Sequence, residues 1–215
     1  MSQTSPPVFN TTPTVLVLMA TNVGIHVVRL LLPDQWSKIV GLVGAFSPPW
    51  FLGAVMGEQL DYTFFLLLTP LTYAFLHADL LHLAINTAFL LAFGTVVERR
   101  LGWARFLSLY LLSGVLAAGA SVALFFATME QTIMVGASGA ISGLFGAVLR
   151  LTMRRAYGAI AIFVVLNLVI GYTGLPNMGE VRSIAWEAHI GGLLAGFFML
   201  PLFAKANRQL PKGLS

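Results

Sequence analysis

Long apolar segments dominate this chain and limit the folds open to it. Of its 215 residues, 58% are hydrophobic and only 9% are charged. A water-soluble domain carries about 25% charged residues, so this chain lacks the polar side chains to cover a surface in water. A helix needs about 20 apolar residues to cross the hydrocarbon core of a membrane. Six segments reach or approach that length: 14–32, 69–93, 103–128, 137–151, 157–172 and 187–204.

These six segments predict an all-α, polytopic membrane protein with six transmembrane helices. The fourth and fifth segments are short, and they could cross only as nearly upright or protein-enclosed helices. The first, 14–32, lacks the basic start and the cleavage site of a signal peptide, so we expect it to be a retained span. No internal repeat is visible, which favours a single membrane domain.

Basic residues predict how the chain is oriented. With six spans, three arginine- or lysine-containing regions fall on one side of the membrane: 94–105, 150–156 and 205–215. The positive-inside rule then places both termini in the cytoplasm, with 1–13 as the N-terminal segment, 14–204 as the membrane domain and 205–215 as a basic tail. We expect a bacterial inner membrane, since the chain is short and shows no targeting extension; an organelle membrane is the alternative. The basic residues lie between apolar segments, so no nucleic-acid partner is expected.

The region 33–62 is partly apolar but does not suit a span. Pro48-Pro49 and several glycines interrupt its apolar part, 39–56. A seventh span here would also put the arginine-rich turns on opposite sides of the membrane. Irregular backbone is tolerated at membrane depth only where protein or water satisfies its polar groups. We therefore predict a hydrophobic loop embedded in the outer membrane interface.

A serine and a histidine lie just inside the starts of two predicted spans. Ser138 belongs to Gly136-Ala137-Ser138-Gly139, and His189 follows Ala188. Polar and ionisable groups within a membrane are costly and are functional candidates by default. A hydroxyl and an imidazole together suffice for nucleophilic catalysis, although each alone is more often structural. We predict that Ser138 is a nucleophile and His189 its base.

Glycines accompany both residues at helical spacing. Gly136 and Gly139 flank the serine, and Gly192 and Gly196 share a helical face with His189. Small residues at this spacing let two membrane helices approach closely, which would bring the hydroxyl within reach of the imidazole. No acidic residue suits a third catalytic member, because Glu187 lies two residues from the histidine and faces elsewhere. A dyad is therefore expected rather than a triad.

A third group of polar residues is His77, His82 and Asn86. The last two are four residues apart and share a helical face. A zinc protease motif needs two histidines four apart with a glutamate between them, so no metal site and no cofactor are expected here. His82 and Asn86 suit donors to an oxyanion better. We expect His77 to be structural and to hold the adjoining loop.

Taken together, these motifs resemble the rhomboid family of intramembrane serine proteases. The resemblance covers residues from about 60 to 204. It includes the histidine and asparagine pattern, the Glu98-Arg99 pair followed by Gly102, the Gly-x-Ser-Gly motif and the later Ala-His, all in family order. Two features depart from it. Many rhomboids carry an aromatic residue that packs on the histidine, and Ser142 stands there instead; the family's frequent Trp-Arg pair of the first loop is absent near Leu68-Thr69.

The resemblance implies a six-helix rhomboid-like bundle with 33–62 as its membrane-embedded first loop. It implies that Ser138 is the nucleophile and His189 the base. The oxyanion hole would consist of the Ser138 backbone N–H, His82 and Asn86. The expected activity is cleavage of transmembrane segments of other membrane proteins near the outer face, after small residues. Because a base must be unprotonated, activity should fall as acidification protonates the imidazole.

Three alternatives remain. A rhomboid-like protein could bind membrane segments without cutting them, although it would not need a nucleophile and a base together. A small transporter or channel would usually show charges within spans or inverted repeats. A metal-dependent membrane hydrolase would be sensitive to chelators. The substrate, the oligomeric state and the residue that supports His189 are not determined by the sequence.

Overall fold

The computed structural model describes residues 11–58, 61–173 and 185–204, and these parts of the chain are predominantly helical. The basic tail 205–215 and most of segment 1–13 lie outside the described residues. The helices are α1 (Pro13–Leu31), α2 (Asp34–Gly44), α3 (Pro48–Val55), α4 (Thr63–Thr72), α5 (Leu80–Phe89), α6 (Thr95–Leu101), α7 (Trp103–Thr128), α8 (Ser138–Thr152), α9 (Tyr157–Thr173) and α10 (Trp186–Ala204).

Among the described residues, four helical stretches are long and apolar enough to cross a membrane. They are α1, the continuous stretch Leu80–Leu101, α7 and α10. In Leu80–Leu101 a π-helical turn, Leu90–Gly94, joins α5 to α6. The apolar helices α8 and α9 are shorter, with 15 and 17 residues, as the sequence predicted for the fourth and fifth spans. The predicted all-α, polytopic membrane fold is confirmed.

The second span differs from its predicted position. The sequence placed it at 69–93, whereas the observed helix runs over Leu80–Leu101. It begins there because Asp79 caps it: the carboxylate Oδ1 accepts a hydrogen bond from the His82 backbone N–H at 2.7 Å. The apolar residues upstream form α4 and a 3₁₀ turn, Tyr73–Phe75. The loop predicted at 33–62 therefore extends to Asp79 and contains three short helices; we call residues 33–79 the loop segment.

The centre of the bundle is a close packing of α7, α8 and α10. An added Cβ at Gly192 of α10 would overlap the carbonyl oxygen of Gly139 on α8, and one at Gly196 would overlap that of Gly143. In the reverse direction, a Cβ at Gly146 would overlap the Leu193 carbonyl oxygen. The two helices thus meet backbone to backbone, which only glycine permits at these positions.

Helix α1 is attached through its first turn to a buried carboxylate. Glu98 of α6 is only 5% exposed, and its side chain accepts hydrogen bonds from the Thr12 hydroxyl at 2.5 Å and from the Val15 backbone N–H at 3.0 Å. The first N–H groups of a helix have no partner within the helix, and an anion is favoured there. Glu98 therefore fixes the start of α1 against the end of the second span.

The loop segment packs against the turn that precedes α8. Phe46 and Met134 exchange two backbone hydrogen bonds, of 3.0 and 2.8 Å. The Gly136 backbone N–H donates to the Tyr73 carbonyl oxygen at 2.9 Å, and the Tyr73 hydroxyl donates to the Gly114 carbonyl oxygen of α7 at 2.8 Å. These bonds hold the residues before Ser138 from both sides.

Helix α9 is attached differently from the central helices. None of its described residues is fully buried. Its apolar side chains, including Phe163, pack against a small cluster formed by Leu149, Leu193 and Phe197. The Phe163 ring lies 5.5 Å from the Phe145 ring of α8, centroid to centroid. Side chains rather than backbone make these contacts.

Candidate active site

Ser138 and His189 are in direct contact. The serine is the first residue of α8, and the histidine lies in the first turn of α10. The Ser138 Oγ and His189 Nε2 atoms are 2.8 Å apart. This distance depends on the glycine packing beside it, since Gly139 follows the serine and Gly192 lies three residues after the histidine, and the backbones of these two glycines touch.

The turn before Ser138 lies directly against His82. Gly136 has a φ of 115°, which strongly favours glycine. A Cβ added there would lie 2.7 Å from both Cε1 and Nε2 of the His82 imidazole. Glycine at this position therefore serves two purposes: it permits the turn, and it lets the imidazole approach the start of α8.

His82 and Asn86 lie on α5 and face the same cavity as Ser138 and His189. The cavity measures about 940 Å³. The Asn86 Nδ2 donates one hydrogen bond to the His82 carbonyl oxygen at 2.8 Å. An amide nitrogen carries two hydrogens, so a second one remains for a ligand. The other lining residues include Phe89, Phe93, Ser142, Phe145, Phe163 and Asn167.

The backbone at the start of α8 adds further donors. The first N–H groups of an α-helix have no partner within the helix. Ser138 is the first residue of α8, so its N–H belongs to this set. Together with the side chains of His82 and Asn86, it gives the cavity several hydrogen-bond donors and makes it suited to a group that carries negative charge.

His77 lies next to this site but makes different contacts from those of Ser138 and His189. Its backbone carbonyl oxygen accepts a hydrogen bond from the Arg29 guanidinium at 3.2 Å, which ties the loop segment to α1. Its ring, only 1% exposed, meets the His82 ring edge-on with centroids 5.3 Å apart. Burial, and secondly the neighbouring His82, lower the pKa of His77 to about 4. His77 is therefore neutral at physiological pH.

Sequence reasoning missed a third side chain, Asn167 of α9. Its Oδ1 lies 2.7 Å from the His189 Nδ1, on the opposite edge of the imidazole from Ser138. Its Nδ2 donates to the Phe163 carbonyl oxygen at 2.8 Å. Asn167 is the only residue other than an apolar one or glycine between 158 and 171, and a polar residue within an apolar span is a signal that could have found it.

Glu187 and Ser142 are two further polar residues near His189. The Glu187 carboxylate accepts a hydrogen bond from the Ser121 hydroxyl of α7 at 2.6 Å, so it is engaged away from the Ser138 contact. Ser142 is buried and lines the cavity one turn below Ser138. Within the described ranges no group of three or more histidine and acidic side chains could hold a metal ion.

Comparison with known proteins identifies a family for this chain. A family model described as Rhomboid domain matches residues 66–206, which is well over half of the chain. The chain belongs to the rhomboid family. The matched region includes α5 to α10, and therefore Ser138, His189, His82 and Asn86.

Individual rhomboid relatives come from bacteria, plants and protozoa. The chain is 37% identical to Rhomboid protease GluP of Bacillus subtilis (strain 168), over 68% of this chain and 26% of the relative. It is 34% identical to RHOMBOID-like protein 5 of Arabidopsis thaliana, over 58% and 40%. It is 32% identical to Rhomboid-like protease 1 of Toxoplasma gondii, over 64% and 47%. The chain thus spans only about a quarter to a half of the length of these rhomboid relatives.

Proposed function

We propose that this protein is a serine endopeptidase that cleaves transmembrane segments of other membrane proteins within the bilayer. The observation that carries the proposal is the 2.8 Å contact between Ser138 Oγ and His189 Nε2, at the edge of a cavity lined by hydrogen-bond donors. Family membership supports the same activity. A dyad is proposed because Glu187, the nearest acidic residue in sequence, is bonded to Ser121 instead.

The reaction would proceed by acyl transfer. As Ser138 Oγ attacks the carbonyl carbon of the scissile peptide bond, its proton passes to His189 Nε2. The imidazolium then donates that proton to the leaving amine, which leaves an acyl-enzyme. A water molecule, deprotonated by the same imidazole, attacks the ester, and the imidazolium returns that proton to Ser138 Oγ as the acyl product leaves. Each step uses only the nitrogen that already contacts the hydroxyl.

The negative charge that develops on the carbonyl oxygen requires donors in fixed positions. We assign this role to the Ser138 backbone N–H, His82 and Asn86, which face the cavity beside the serine. The position of His82 is set by close contact with Gly136, and that of Asn86 by its bond to the His82 carbonyl oxygen. Donors held before the substrate arrives need no reorganisation during the reaction.

The proposed substrates are transmembrane segments that enter from the lipid bilayer. A peptide bond inside a helix is shielded, so such a segment has to unwind locally to reach Ser138. We place the cut near the outer membrane face, where water can enter, with small residues preferred at the cut. We propose cytoplasmic termini, from the basic residues of 94–105 and 150–156. We propose a bacterial inner membrane because rhomboid relatives include a Bacillus subtilis protein.

The test uses purified protein in proteoliposomes with a single-span substrate that bears a small residue near its outer boundary. Cleavage is compared for wild type, Ser138→Ala and His189→Ala, each with and without chelator. We expect only the wild type to cut, and chelator to have no effect. Equal cutting by all three proteins would disprove the dyad.

The alternative is a catalytically silent rhomboid-like protein that binds membrane segments. It predicts that all three proteins bind the substrate and that none cuts it. Asn86→Ala separates the two functions further. A protease should lose about 100- to 1000-fold in turnover when one oxyanion donor is removed, with its fold unchanged. Full activity in this variant would remove Asn86 from the site.

A further inference from the structure

We propose that Asn167 is a positioning residue for His189: its amide oxygen accepts a hydrogen bond from Nδ1–H and so leaves the lone pair of Nε2 directed toward Ser138. This inference rests on the proposed function and adds a residue on α9 to it. The contact joins Asn167 Oδ1 and His189 Nδ1 at 2.7 Å. With the serine contact, it gives the imidazole one fixed partner at each nitrogen.

The orientation of the amide follows from its second hydrogen bond. Oxygen and nitrogen of an asparagine side chain are distinguished by their partners. One end of the Asn167 amide lies 2.8 Å from the Phe163 carbonyl oxygen, which can only accept. That end must therefore be the NH₂ group, and the end that faces His189 must be the oxygen.

The amide orientation determines which nitrogen of His189 carries the proton. An amide oxygen can only accept, so Nδ1 must be the N–H donor of the neutral imidazole. Nε2 then has an unshared electron pair and accepts the hydrogen bond from the Ser138 hydroxyl. The other tautomer would set two acceptors against each other at Asn167, and at Ser138 it would make Nε2–H the donor and the hydroxyl the acceptor. Only the first arrangement leaves His189 able to take the serine proton.

A neutral amide also suits the surroundings of this contact. In serine proteases with an aspartate, the carboxylate fixes the imidazole tautomer and stabilises the imidazolium. Asn167 performs the first task without placing a second charge in a low-dielectric site, where desolvation is costly. Because Asn167 lies on α9 and His189 on α10, the orientation of the imidazole depends on where α9 sits.

The first experiment measures kcat and KM for substitutions at position 167. Asn167→Leu has a similar volume but cannot accept a hydrogen bond, and we expect kcat to fall about 100-fold with little change in KM, because the imidazole is no longer held in its reactive position. Asn167→Asp can still accept from Nδ1, and it should restore most of kcat. A carboxylate there also favours the imidazolium, so the acid limb of the kcat profile should move to higher pH. Leu166→Ala, an exposed neighbour on α9, is the control and should retain wild-type rates.

The second experiment observes the tautomer directly, without any need for activity. The chain has only four histidines, so ¹⁵N-histidine labelling gives a resolvable NMR spectrum, with His189→Gln to assign the signal. In a Ser138→Ala background we expect the Nδ1–H tautomer of His189. Adding Asn167→Leu should shift the population toward Nε2–H, the form that free neutral histidine prefers.

The outcomes separate this inference from the proposed function. If Asn167→Leu retains the wild-type kcat, or if His189 carries its proton on Nε2 in the presence of Asn167, the positioning role is wrong. If wild type cuts no substrate yet shows the Nδ1–H tautomer that depends on Asn167, the bond is real and the protease assignment fails instead. If Asn167→Leu does not fold, the kcat of Asn167→Asp and the tautomer of His189 in the Ser138→Ala protein still test the positioning role.

Discussion

The two sides of the candidate site are built in different ways. Ser138 and the backbone around His189 are held by α8 and α10, whose glycines allow one backbone to rest on the other. The opposite edge of the imidazole contacts α9, which has no fully buried residue among those described and packs through side chains such as Phe163. One helix pair is fixed by its backbones, and the third helix is attached by side chains and the Asn167 bond.

This difference corresponds to two requirements of a dyad: the distance between the two reacting atoms and the orientation of the imidazole. The distance between the hydroxyl and the imidazole has to be reproducible to a fraction of an ångström, and contact between backbones is the stiffest way to set it. Side-chain packing tolerates small shifts at lower cost, because rotamers can readjust. We therefore expect changes in the α8–α10 contact to cause the largest losses of stability, and changes in α9 to cause smaller ones.

The largest effect should follow from Gly196→Ala. The new Cβ would overlap the Gly143 carbonyl oxygen, and a backbone atom can withdraw only if the helices separate. We expect a loss of at least about 3 kcal/mol in the free energy of unfolding, at the upper end of overpacking costs. Thermal unfolding in detergent would measure it. Gly119→Ala, also in a helix but with open space around its Cβ position, is the control and should change stability by no more than about 1 kcal/mol. Equal midpoints for the two variants would contradict the backbone contact.

The second effect concerns Gly136→Ala in the turn before Ser138. Both the φ of 115° and the His82 ring 2.7 Å from the new Cβ oppose alanine. We expect turnover to fall about 100-fold or more through displacement of His82, a loss comparable to that of an oxyanion donor. Gly57→Ala introduces alanine at a φ of 82° with nothing within 4 Å, so it imposes the backbone strain alone. If both variants lost the same activity, contact with His82 would not be the cause.

The third effect is the pH dependence of stability caused by His77. Its folded pKa of about 4 lies below the unfolded value near 6.5, so the unfolded state binds more protons between these values. Stability is therefore complete above pH 6.5 and falls by roughly 3 kcal/mol as pH drops to 4.

Unfolding midpoints measured from pH 4 to 8 for wild type and His77→Asn would test this. His82, His26 and Arg29 face the same ring and stay in both proteins, so the difference between the curves isolates His77. We expect a shallower fall in the variant. Parallel curves would show that another group titrates.

The smallest effect should come from α9. Phe163→Leu removes the ring contact with Phe145 but keeps an apolar side chain in the same space. Aromatic pairs are worth about 0.5–1.5 kcal/mol beyond their buried area, so the loss of stability should stay within that range. Thermal unfolding midpoints of Phe163→Leu and Gly196→Ala, measured under the same conditions, provide the comparison. A loss as large as that of Gly196→Ala would mean that α9 is as firmly held as the central helices.

Much of the fold could be read from the chain because a membrane imposes strong rules on sequence. Spans have to be apolar over about 20 residues, which located α1, α7 and α10 within a few residues. The start of the second span was misplaced by eleven residues, since the loop segment before it is equally apolar. Only the Asp79 cap marks the boundary, and a single capping residue is a weak signal against a continuous apolar run.

The sequence by itself determined the helical class, the glycine spacing and the residue types available for chemistry: a serine and a histidine beside glycines, with His82 and Asn86 on one face. Only the tertiary structure decided which side chain contacts the other edge of the imidazole. Asn167 was overlooked because a single polar residue in an apolar span does not show what it contacts, and only the packing of α9 on α10 brings it to His189. Local periodicity records which face of a helix is apolar. It carries no information about which neighbour that face will meet.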